Sequence, residues 1–377
     1  MQVVEGSTRL EVPATTHQRG PKKKEGGPFY NPAMRTARDV SVLVLSALVE
    51  STKRRWTVCD AMAATGARGL RFANEVPDVK VQLNDANPES IQLAQRNAKQ
   101  LGLENVDFRW GRLEPHLAAE TYDWVDIDPY GTPAPFIDVA IHSVLDGGVL
   151  AVTATDTATL SGVYPDACRR RYNAQSLRGA CMPELATRIL SGAVVRAAGR
   201  RDRAATPLLA YATQHFVRVY CRIDDGAAAA DVQQEQLKYA VFHADGNRGF
   251  AAQPPAMSKS AGPLWSGPLC DPGLVKKISA LAAGRTDLAR ETPKLIAKWV
   301  EEATAPGLYF DVDDFTSGRR LESPRLERWL EELRARNFVA TRTHFAPRGI
   351  KTDARYHDVL KVLESMQRAT ASPKATA

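Results

Sequence analysis

The run Asp128-Pro129-Tyr130-Gly131 follows a stretch, residues 124–127, that has the pattern of a buried strand. A carboxylate at the end of a core strand can accept the hydrogens of an exocyclic amine, and the carbonyl of Pro129 can accept as well. Pro129 restricts the turn, and Tyr130 offers a face on which a planar base can stack. These residues indicate methyl transfer to a nucleobase amine, with Asp128, Pro129 and Tyr130 as catalytic candidates. An ordinary Asp-Pro turn, with Gly131 supplying a permissive dihedral, is the alternative.

A second candidate site is the run from Asp60 to Gly69, in which a predicted strand ends in an acid and small residues lead into a helix. Small residues let a ligand approach the backbone, and a helix N-terminus favours a carboxylate. The methionine carboxylate of S-adenosylmethionine fits there, with Thr65 and Gly66 in the turn and Arg68 able to pair with it bidentately. A plain strand–helix turn is the alternative.

An acid, Asp85, also ends the next predicted strand. In nucleotide-binding α/β folds an acid at this place holds the ribose hydroxyls, so Asp85 and the adjacent Ala86 are predicted to bind the cofactor. Asn87 and Pro88 additionally predict a capped helix start, which does not exclude binding by Asp85. A nicotinamide cofactor would need the same acid, but the chain lacks Gly-x-Gly-x-x-Gly, which disfavours a dehydrogenase.

The elements that must position these residues alternate between strand and helix from residue 57 to residue 153, which predicts a parallel α/β sheet. Thr155 and Asp156 follow the fifth strand, so all four candidate runs lie at the carboxyl edge of the sheet, where open sheets bind ligands. An arginine-rich insertion comes next. Two tightly joined strands, residues 208–213 and 216–220, then predict an antiparallel hairpin, the pattern of a Rossmann-like class I S-adenosylmethionine-dependent methyltransferase domain.

Asp224-Asp225-Gly226 and the alanines after it predict a domain boundary, giving a methyltransferase domain over 1–225 and a smaller α+β domain over 226–377. Residues 258–263 are predicted to form a Ser/Gly loop. From Tyr309 onward a helix-turn-helix rhythm followed by a strand predicts a winged-helix-like part.

The bulk composition restricts the class of partner. The 377 residues carry a formal net charge of +7, which is compatible with a polyanion. Five cysteines lie far apart without a Cys-x-x-Cys pair, so we expect no metal site and a reduced, cytoplasmic setting. No apolar run has the length of a membrane span and no signal-peptide pattern is present, so we expect no membrane partner. We also expect a monomer.

The chain resembles the tRNA guanine-26 N2-dimethyltransferases of archaea and eukaryotes over nearly its whole length. The resemblance is carried by Val4-Glu5-Gly6, Phe29-Tyr30-Asn31-Pro32, Arg38-Asp39, the runs at Asp60, Asp85, Asp128 and Thr155, Gly262-Pro263-Leu264-Trp265, Thr341-Arg342-Thr343-His344-Phe345 and Gly349-Ile350-Lys351-Thr352. It implies S-adenosylmethionine as the methyl donor and the exocyclic amine of a tRNA guanine as the acceptor.

The resemblance also implies roles for single residues. Arg38 and Arg68 match cofactor-binding arginines, and Asp85 matches the acid on the ribose. Asp128 matches the acid that handles the guanine. Phe29 and Tyr30 match an aromatic pair near the target base, for which Thr155 and Asp156 are further candidates.

Two features of the family are missing from this chain. Family members have Asp-Ala after the third strand, where this chain has no acid in register within Arg109–Glu114. Glu114 or a backbone group then takes that place, or cofactor affinity is weaker. A cysteine cluster of some relatives is also missing, so we predict no zinc.

The tRNA backbone is expected to bind to arginines, because phosphate contacts position a nucleic acid without reading its sequence. The candidates are Arg169, Arg170, Arg171, Arg319, Arg320 and Arg342. A solvated helical face is the alternative for the arginines of the insertion. For the whole chain, two other functions stay open: an amino-methyltransferase acting on another base or a glutamine, and a catalytically weak tRNA-binding chaperone. Binding of S-adenosylmethionine separates the chaperone from an enzyme.

Overall fold

The computed structural model of the chain describes residues 1–14, 27–179, 181–213, 215–256, 258–316 and 324–371. The chain starts with an antiparallel hairpin of β1 (Gln2–Glu5) and β2 (Thr8–Glu11). Helix α1 (Arg35–Thr52) follows a short 3-10 turn and is mostly buried. None of the helices in the described ranges combines the length and apolarity that crossing a membrane requires.

A seven-stranded sheet forms the centre of the molecule. Its strands are β3 (Trp56–Asp60), β4 (Val79–Asp85), β5 (Val106–Trp110), β6 (Tyr122–Ile127), β7 (Val144–Ala154), β8 (Arg203–Ala212) and β9 (Val217–Asp225). They lie in the order β5-β4-β3-β6-β7-β9-β8, with the first five parallel and β9 antiparallel to both β7 and β8. The predicted α/β fold with a closing hairpin is therefore confirmed.

Helices connect the parallel strands and cover the sheet. They are α2 (Ala67–Glu75), α3 (Pro88–Leu101), α4 (Leu113–Ala119) and α5 (Ile137–Ser143). The insertion after β7 forms α6 (Thr157–Leu160), α7 (Pro165–Tyr172) and α8 (Met182–Gly199). The predicted start of α3 is confirmed, because the Asn87 side chain accepts from the Glu89 amide at 2.9 Å and Pro88 is the first helical residue.

The chain after β9 first adds α9 (Ala227–Gln234) and a three-stranded antiparallel sheet of β10 (Leu237–Phe242), β11 (Arg248–Ala251) and β12 (Lys259–Trp265). The predicted Ser/Gly loop at 258–263 is wrong, since most of it is β12. Pairing with β10 and two backbone hydrogen bonds between Gly262 and Gln175 hold this segment extended. Helices α10 (Pro272–Ala283) and α11 (Glu291–Glu302) then pack beside α1.

The last part has the winged-helix order predicted from the sequence. After α11 come β13 (Phe310–Asp311), α12 (Val312–Thr316), α13 (Leu326–Arg334), β14 (Ala340–Arg342) and β15 (Gly349–Thr352), and α14 (Tyr356–Ala371) follows. The three strands form one sheet in the order β13-β15-β14. Trp329, Phe315 and Ile350 lie in a separate hydrophobic core of this part.

The two larger cores each combine residues from both sides of position 225. Leu264 and Trp265 belong to the same core as the sheet residue Val152, while Trp299 belongs to the core that contains Val58. The domain boundary at 225/226 thus stays a prediction, and the part with its own core runs from Phe310 to Met366.

Candidate active site

The carboxyl ends of β3, β4, β6 and β7 meet at one edge of the sheet, and each ends in or is followed by one of the residues singled out above. Asp60 ends β3 and Asp85 ends β4. Asp128 follows β6, and Thr155 follows β7. Parallel pairing brings these four positions together.

The turn after β3 is shaped for close approach to its backbone. Ala64 and Gly66 have φ values of +49° and +76°, and a Cβ on Gly69 would lie 2.4 Å from Leu83. Asp60 accepts from the Gly69 amide at 3.0 Å, and Asp85 accepts from the Ala64 amide at 2.7 Å. The two acids therefore fix the turn from both sides and leave its surface to a ligand.

Arg68 joins the acids of this edge. Its Nη1 donates to Asp126 Oδ1 and its Nη2 to Asp128 Oδ2, each at 2.5 Å. Both Nη atoms are thus engaged by aspartates rather than free for a ligand carboxylate, and Arg68 Nε has no hydrogen-bond partner among the described residues. In this arrangement Arg68 orients Asp128 directly.

Arg218 is a residue of this site that the sequence reasoning missed. It is fully buried on β9, and its Nη2 donates to Asp126 Oδ2 at 2.5 Å. It also donates to Thr153 Oγ1 at 2.5 Å and to Ser41 Oγ at 3.1 Å. The sequence does carry one signal for this pair: Arg218 and Asp126 are charged residues within apolar strands. A charge buried in such a strand requires a partner.

The electrostatics of this cluster favour a cationic ligand. Two guanidinium groups, of Arg68 and Arg218, face the three carboxyl groups of Asp60, Asp126 and Asp128. Burial raises the pKa of the Asp60 carboxyl to about 7, and the charges of Asp126 and Asp128 add to the increase against the opposing effect of Arg68. A ligand carrying a sulfonium and an ammonium would neutralise the excess negative charge, so the cluster fits S-adenosylmethionine.

Thr155 fixes the loop that carries the catalytic candidates. Its amide donates to the Gly131 carbonyl at 2.9 Å, and its Oγ1 accepts from the Gly131 amide at 2.7 Å. Pro129 is buried in this loop, whereas Tyr130 is 72% exposed. An exposed ring on a fixed loop is suited to stacking against a base.

Asp156 is held by the insertion. Tyr172 on α7 donates from its hydroxyl to Asp156 Oδ1 at 2.6 Å and accepts from the Thr132 hydroxyl at 2.9 Å. Arg171 donates to Asp156 Oδ2 at 3.1 Å. Asp156 therefore lies beside the Asp128 loop with both oxygens engaged.

Glu5 of the N-terminal hairpin binds two further residues that were predicted from the sequence, Arg38 and Tyr30. It accepts from Arg38 at 2.7 and 2.5 Å and from the Tyr30 hydroxyl at 2.6 Å. Tyr30 is consequently buried, while its neighbour Phe29 is 45% exposed. Of the predicted aromatic pair, only Phe29 offers a large open face.

The segment at the end of β5 occupies the position at which family members have an acid. Trp110 is 70% exposed and donates from its indole nitrogen to the Ala86 carbonyl at 3.2 Å. Glu114 is paired with Arg112 at 2.7 Å. The Gly111 amide donates to the Asp85 carbonyl at 3.0 Å, so this segment packs directly beside the predicted cofactor residues.

The predicted tRNA-binding arginines divide into three groups. Arg169, Arg170 and Arg171 are exposed on α7. Arg342 on β14 pairs with Glu327 of α13. Arg319 and Arg320 lie outside the described residues.

The described ranges contain no group of three or more His, Cys, Asp or Glu side chains placed to hold a metal ion. All five cysteines are free and buried.

Comparison with known proteins also indicates methyl transfer to a tRNA base. Residues 6–364 match the family model described as N2,N2-dimethylguanosine tRNA methyltransferase. The chain is 35% identical to the tRNA (guanine(26)-N(2))-dimethyltransferase of Thermococcus kodakarensis, covering 97% of this chain and 99% of that protein. It is 35% identical to the Pyrococcus furiosus protein of the same name, covering 96% and 98%.

Among solved structures, the chain is similar to Trm1 from Pyrococcus horikoshii in complex with S-adenosyl-L-methionine. The TM-score is 0.86 at 32% sequence identity, and the match covers 96% of this chain and 99% of that one.

Proposed function

Because this chain belongs to the N2,N2-dimethylguanosine tRNA methyltransferase family, we propose that it methylates the exocyclic N2 of guanine 26 in tRNA. The products are N2-methyl- and N2,N2-dimethylguanosine, and S-adenosylmethionine is the methyl donor. The observation that carries the proposal is Asp128, oriented by Arg68 beside the exposed ring of Tyr130. We further propose that the enzyme acts in the cytoplasm as a monomer.

The cofactor would be held by the edge formed by β3, β4 and β5. Asp85 at the end of β4 would bind the ribose hydroxyls, with Ala86 beside it. Asp60 and the turn through Thr65 and Gly66 would receive the methionine part. Arg38, which is paired with Glu5, is a further candidate for binding the cofactor. When bound there, S-adenosylmethionine supplies a methyl group on a positively charged sulfur.

The target guanine must leave its stack to reach this edge, which costs a few kcal/mol. Stacking on Tyr130 or Phe29 would offset part of that cost, by about 1–3 kcal/mol per base. These two rings are exposed, whereas Tyr30 is tied to Glu5. We therefore assign base stacking to Tyr130 and Phe29, with Tyr30 supporting Phe29 from within the fold.

Asp128 and Pro129 would orient the amine. Arg68 engages Asp128 Oδ2, so Oδ1 is left to accept a hydrogen of the guanine N2. The Pro129 carbonyl, which accepts no hydrogen bond from the described residues, would take the other hydrogen. Two acceptors direct the nitrogen lone pair at the methyl group, so positioning and electrostatics supply most of the rate. Asp128 then accepts the proton that the amine releases.

The tRNA backbone would lie across α7 and the winged-helix-like part. Arg169, Arg170 and Arg171 are exposed beside the active-site edge and would contact phosphates. Arg342 would contribute from β14, and we include Arg319 and Arg320 from the sequence. Such contacts fix the position of the target guanine without reading bases.

Mass spectrometry of nucleosides tests this proposal. Transcribed tRNA would be incubated with the protein and S-adenosylmethionine and then digested to nucleosides. We expect N2-methylguanosine followed by N2,N2-dimethylguanosine, and neither product from a matched tRNA in which guanine 26 is replaced by adenine. Equal methylation of both tRNAs would overturn the assigned position, and absence of methylated guanosine from both would overturn the activity.

A further inference from the structure

Aromatic rings are exposed beyond the carboxyl ends of three of the five parallel strands. Trp110 ends β5, Tyr130 follows β6, and Tyr164 lies in the insertion that follows β7. Their exposed fractions are 70%, 72% and 59%. The proposed reaction uses Tyr130 for the target base, but it gives no role to Tyr164.

Tyr164 lines a groove that is formed entirely by the insertion after β7, from Asp156 to Arg171. The groove has a volume of about 650 Å³, within the range of sites that hold small ligands. Its walls are Asp156, Ala158, Thr159, the segment 163–167, Arg170 and Arg171. The space is thus large enough for one nucleotide.

The groove is continuous with the loop that carries the catalytic candidates. Thr155 is hydrogen-bonded to Gly131 of that loop, and the next residue, Asp156, lines the groove. Tyr172 links the two again by bonding both Asp156 and Thr132. The groove is therefore linked by hydrogen bonds to the loop that presents Tyr130.

The chemistry of the groove fits a nucleotide. Tyr164 offers an aromatic face next to the exposed apolar side chain of Val163. Arg170 is exposed and makes no ion pair with any described residue, whereas Arg171 is engaged by Asp156 and Thr159. A ring for the base together with an unpaired guanidinium for the phosphate is the combination that single-stranded nucleic acids bind.

We propose that Tyr164 and Arg170 form a second nucleotide subsite, which holds a tRNA nucleotide adjacent to the target guanine. The neighbouring base stacks on Tyr164 and its phosphate contacts Arg170. Extrusion of the target removes a stacking partner from its neighbours, and the subsite replaces that partner. The inference rests on the proposed function, because the subsite is defined by its position next to a target guanine that is bound in the active site.

Variants of Tyr164 test the stacking. For Tyr164→Ala we expect the KM for tRNA to rise about 5- to 150-fold, the equivalent of losing one stacked base. Tyr164→Phe retains the ring and should stay within about 2-fold of wild type. The dissociation constant for S-adenosylmethionine should not change in either variant. Because Tyr164 is exposed, both variants should fold, which thermal melting checks.

A tRNA carrying 2-aminopurine at position 25 or 27 reports the subsite directly. Binding to the wild-type protein should change the emission at one of the two positions, and Tyr164→Ala should give a different emission, because the base next to the extruded guanine then has no ring on which to stack. Arg170→Gln should weaken tRNA binding and reduce its salt dependence by about one phosphate contact. Lys80→Gln is the matched control, because it removes the same charge near the amino end of β4 and should bind tRNA normally.

A wild-type KM in Tyr164→Ala, together with an emission change equal to that of wild type, would overturn the subsite. Failure of the proposed function is distinguishable from this result. In that case, the wild-type protein would form no methylated guanosine but would still change the 2-aminopurine emission in a Tyr164-dependent way. That result would refute the proposed activity and support the subsite.

Discussion

Arg68 binds only one oxygen of Asp128, donating from Nη2 to Oδ2 at 2.5 Å. Its other terminal nitrogen is held by Asp126, which is itself held by Arg218. The position of Asp128 is therefore set by a chain of buried charges that extends into the centre of the sheet. Arg68 does not engage Asp128 Oδ1, and in the proposed reaction this oxygen receives the substrate amine.

Removing Arg218 should weaken both the fold and the reaction. Arg218→Met leaves Asp126 with one cationic partner, and loss of one member of a buried pair typically costs about 3–5 kcal/mol. Arg68 would then shift toward Asp126 and release Asp128, lowering kcat on the order of 10- to 100-fold. Urea unfolding and methyl transfer measure the two effects.

Arg222→Gln is the control for Arg218, since Arg222 lies on the same strand but is half exposed and pairs with Asp224. It should change stability by about 0–1 kcal/mol. Equal effects of the two substitutions would contradict the role assigned to Arg218.

Cofactor affinity should depend on pH through Asp60. Burial raises the pKa of its carboxyl to about 7, so below that pH the group is protonated in the free protein. A cationic ligand favours the ionised form, and the proton must leave on binding. Affinity should therefore fall by up to about tenfold for each pH unit below 7 and level off above it.

Calorimetry with S-adenosylmethionine from pH 5.5 to 8.5 measures this dependence, and buffers of different ionisation enthalpy show the released proton. Asp60→Asn should remove the dependence due to this group, which separates it from titration of the ligand. Identical pH profiles for the variant and the wild type would argue against Asp60.

A second buried charge cluster holds the C-terminal part together. Glu302 at the end of α11 accepts from the Thr343 hydroxyl at 2.6 Å, from Lys351 at 3.2 Å and from His344. Burial raises the pKa of the Glu302 carboxyl, but the charge and hydrogen bond of His344 and the charge of Lys351 outweigh it and hold the pKa at about 2.

The folded pKa of Glu302 lies below its ordinary value of 4.5, so its contribution to stability is present above pH 4.5 and is lost between pH 4.5 and 2. Glu302→Gln should lower the free energy of unfolding by about 3 kcal/mol at pH 7 and by much less near pH 2. Its half-exposed neighbour Glu301, paired with Arg334 at 3.4 Å, is the control, and Glu301→Gln should cost about 0–1 kcal/mol. Urea unfolding as a function of pH compares them, and similar losses in both variants would refute the prediction.

Local patterns were sufficient to predict most of the sheet and its ligand edge. Strand ends at Asp60 and Asp85, and the helix start at Asn87 and Pro88, depend on neighbouring residues that the sequence displays together. The closing hairpin could be predicted for the same reason.

Features that depend on distant partners were not predictable from local pattern. Arg218 and Asp126 are 92 residues apart, and only the fold shows that they meet. Phe29 and Tyr30 are adjacent aromatic residues, yet Glu5 draws only Tyr30 inside. The segment 259–263 has loop-forming residues but becomes part of β12, because β10 supplies its hydrogen bonds.

The central claim is that Asp128 orients the guanine amine and accepts its proton. Asp128→Asn keeps the shape of the side chain and removes one negative charge from a cluster that has an excess of one, so the fold should be retained. Single-turnover methyl transfer to guanine 26, with tRNA and S-adenosylmethionine both saturating, measures the step itself. We predict a rate at least about 100-fold below wild type, with tRNA affinity changed less than about twofold. A wild-type single-turnover rate in Asp128→Asn would contradict the account.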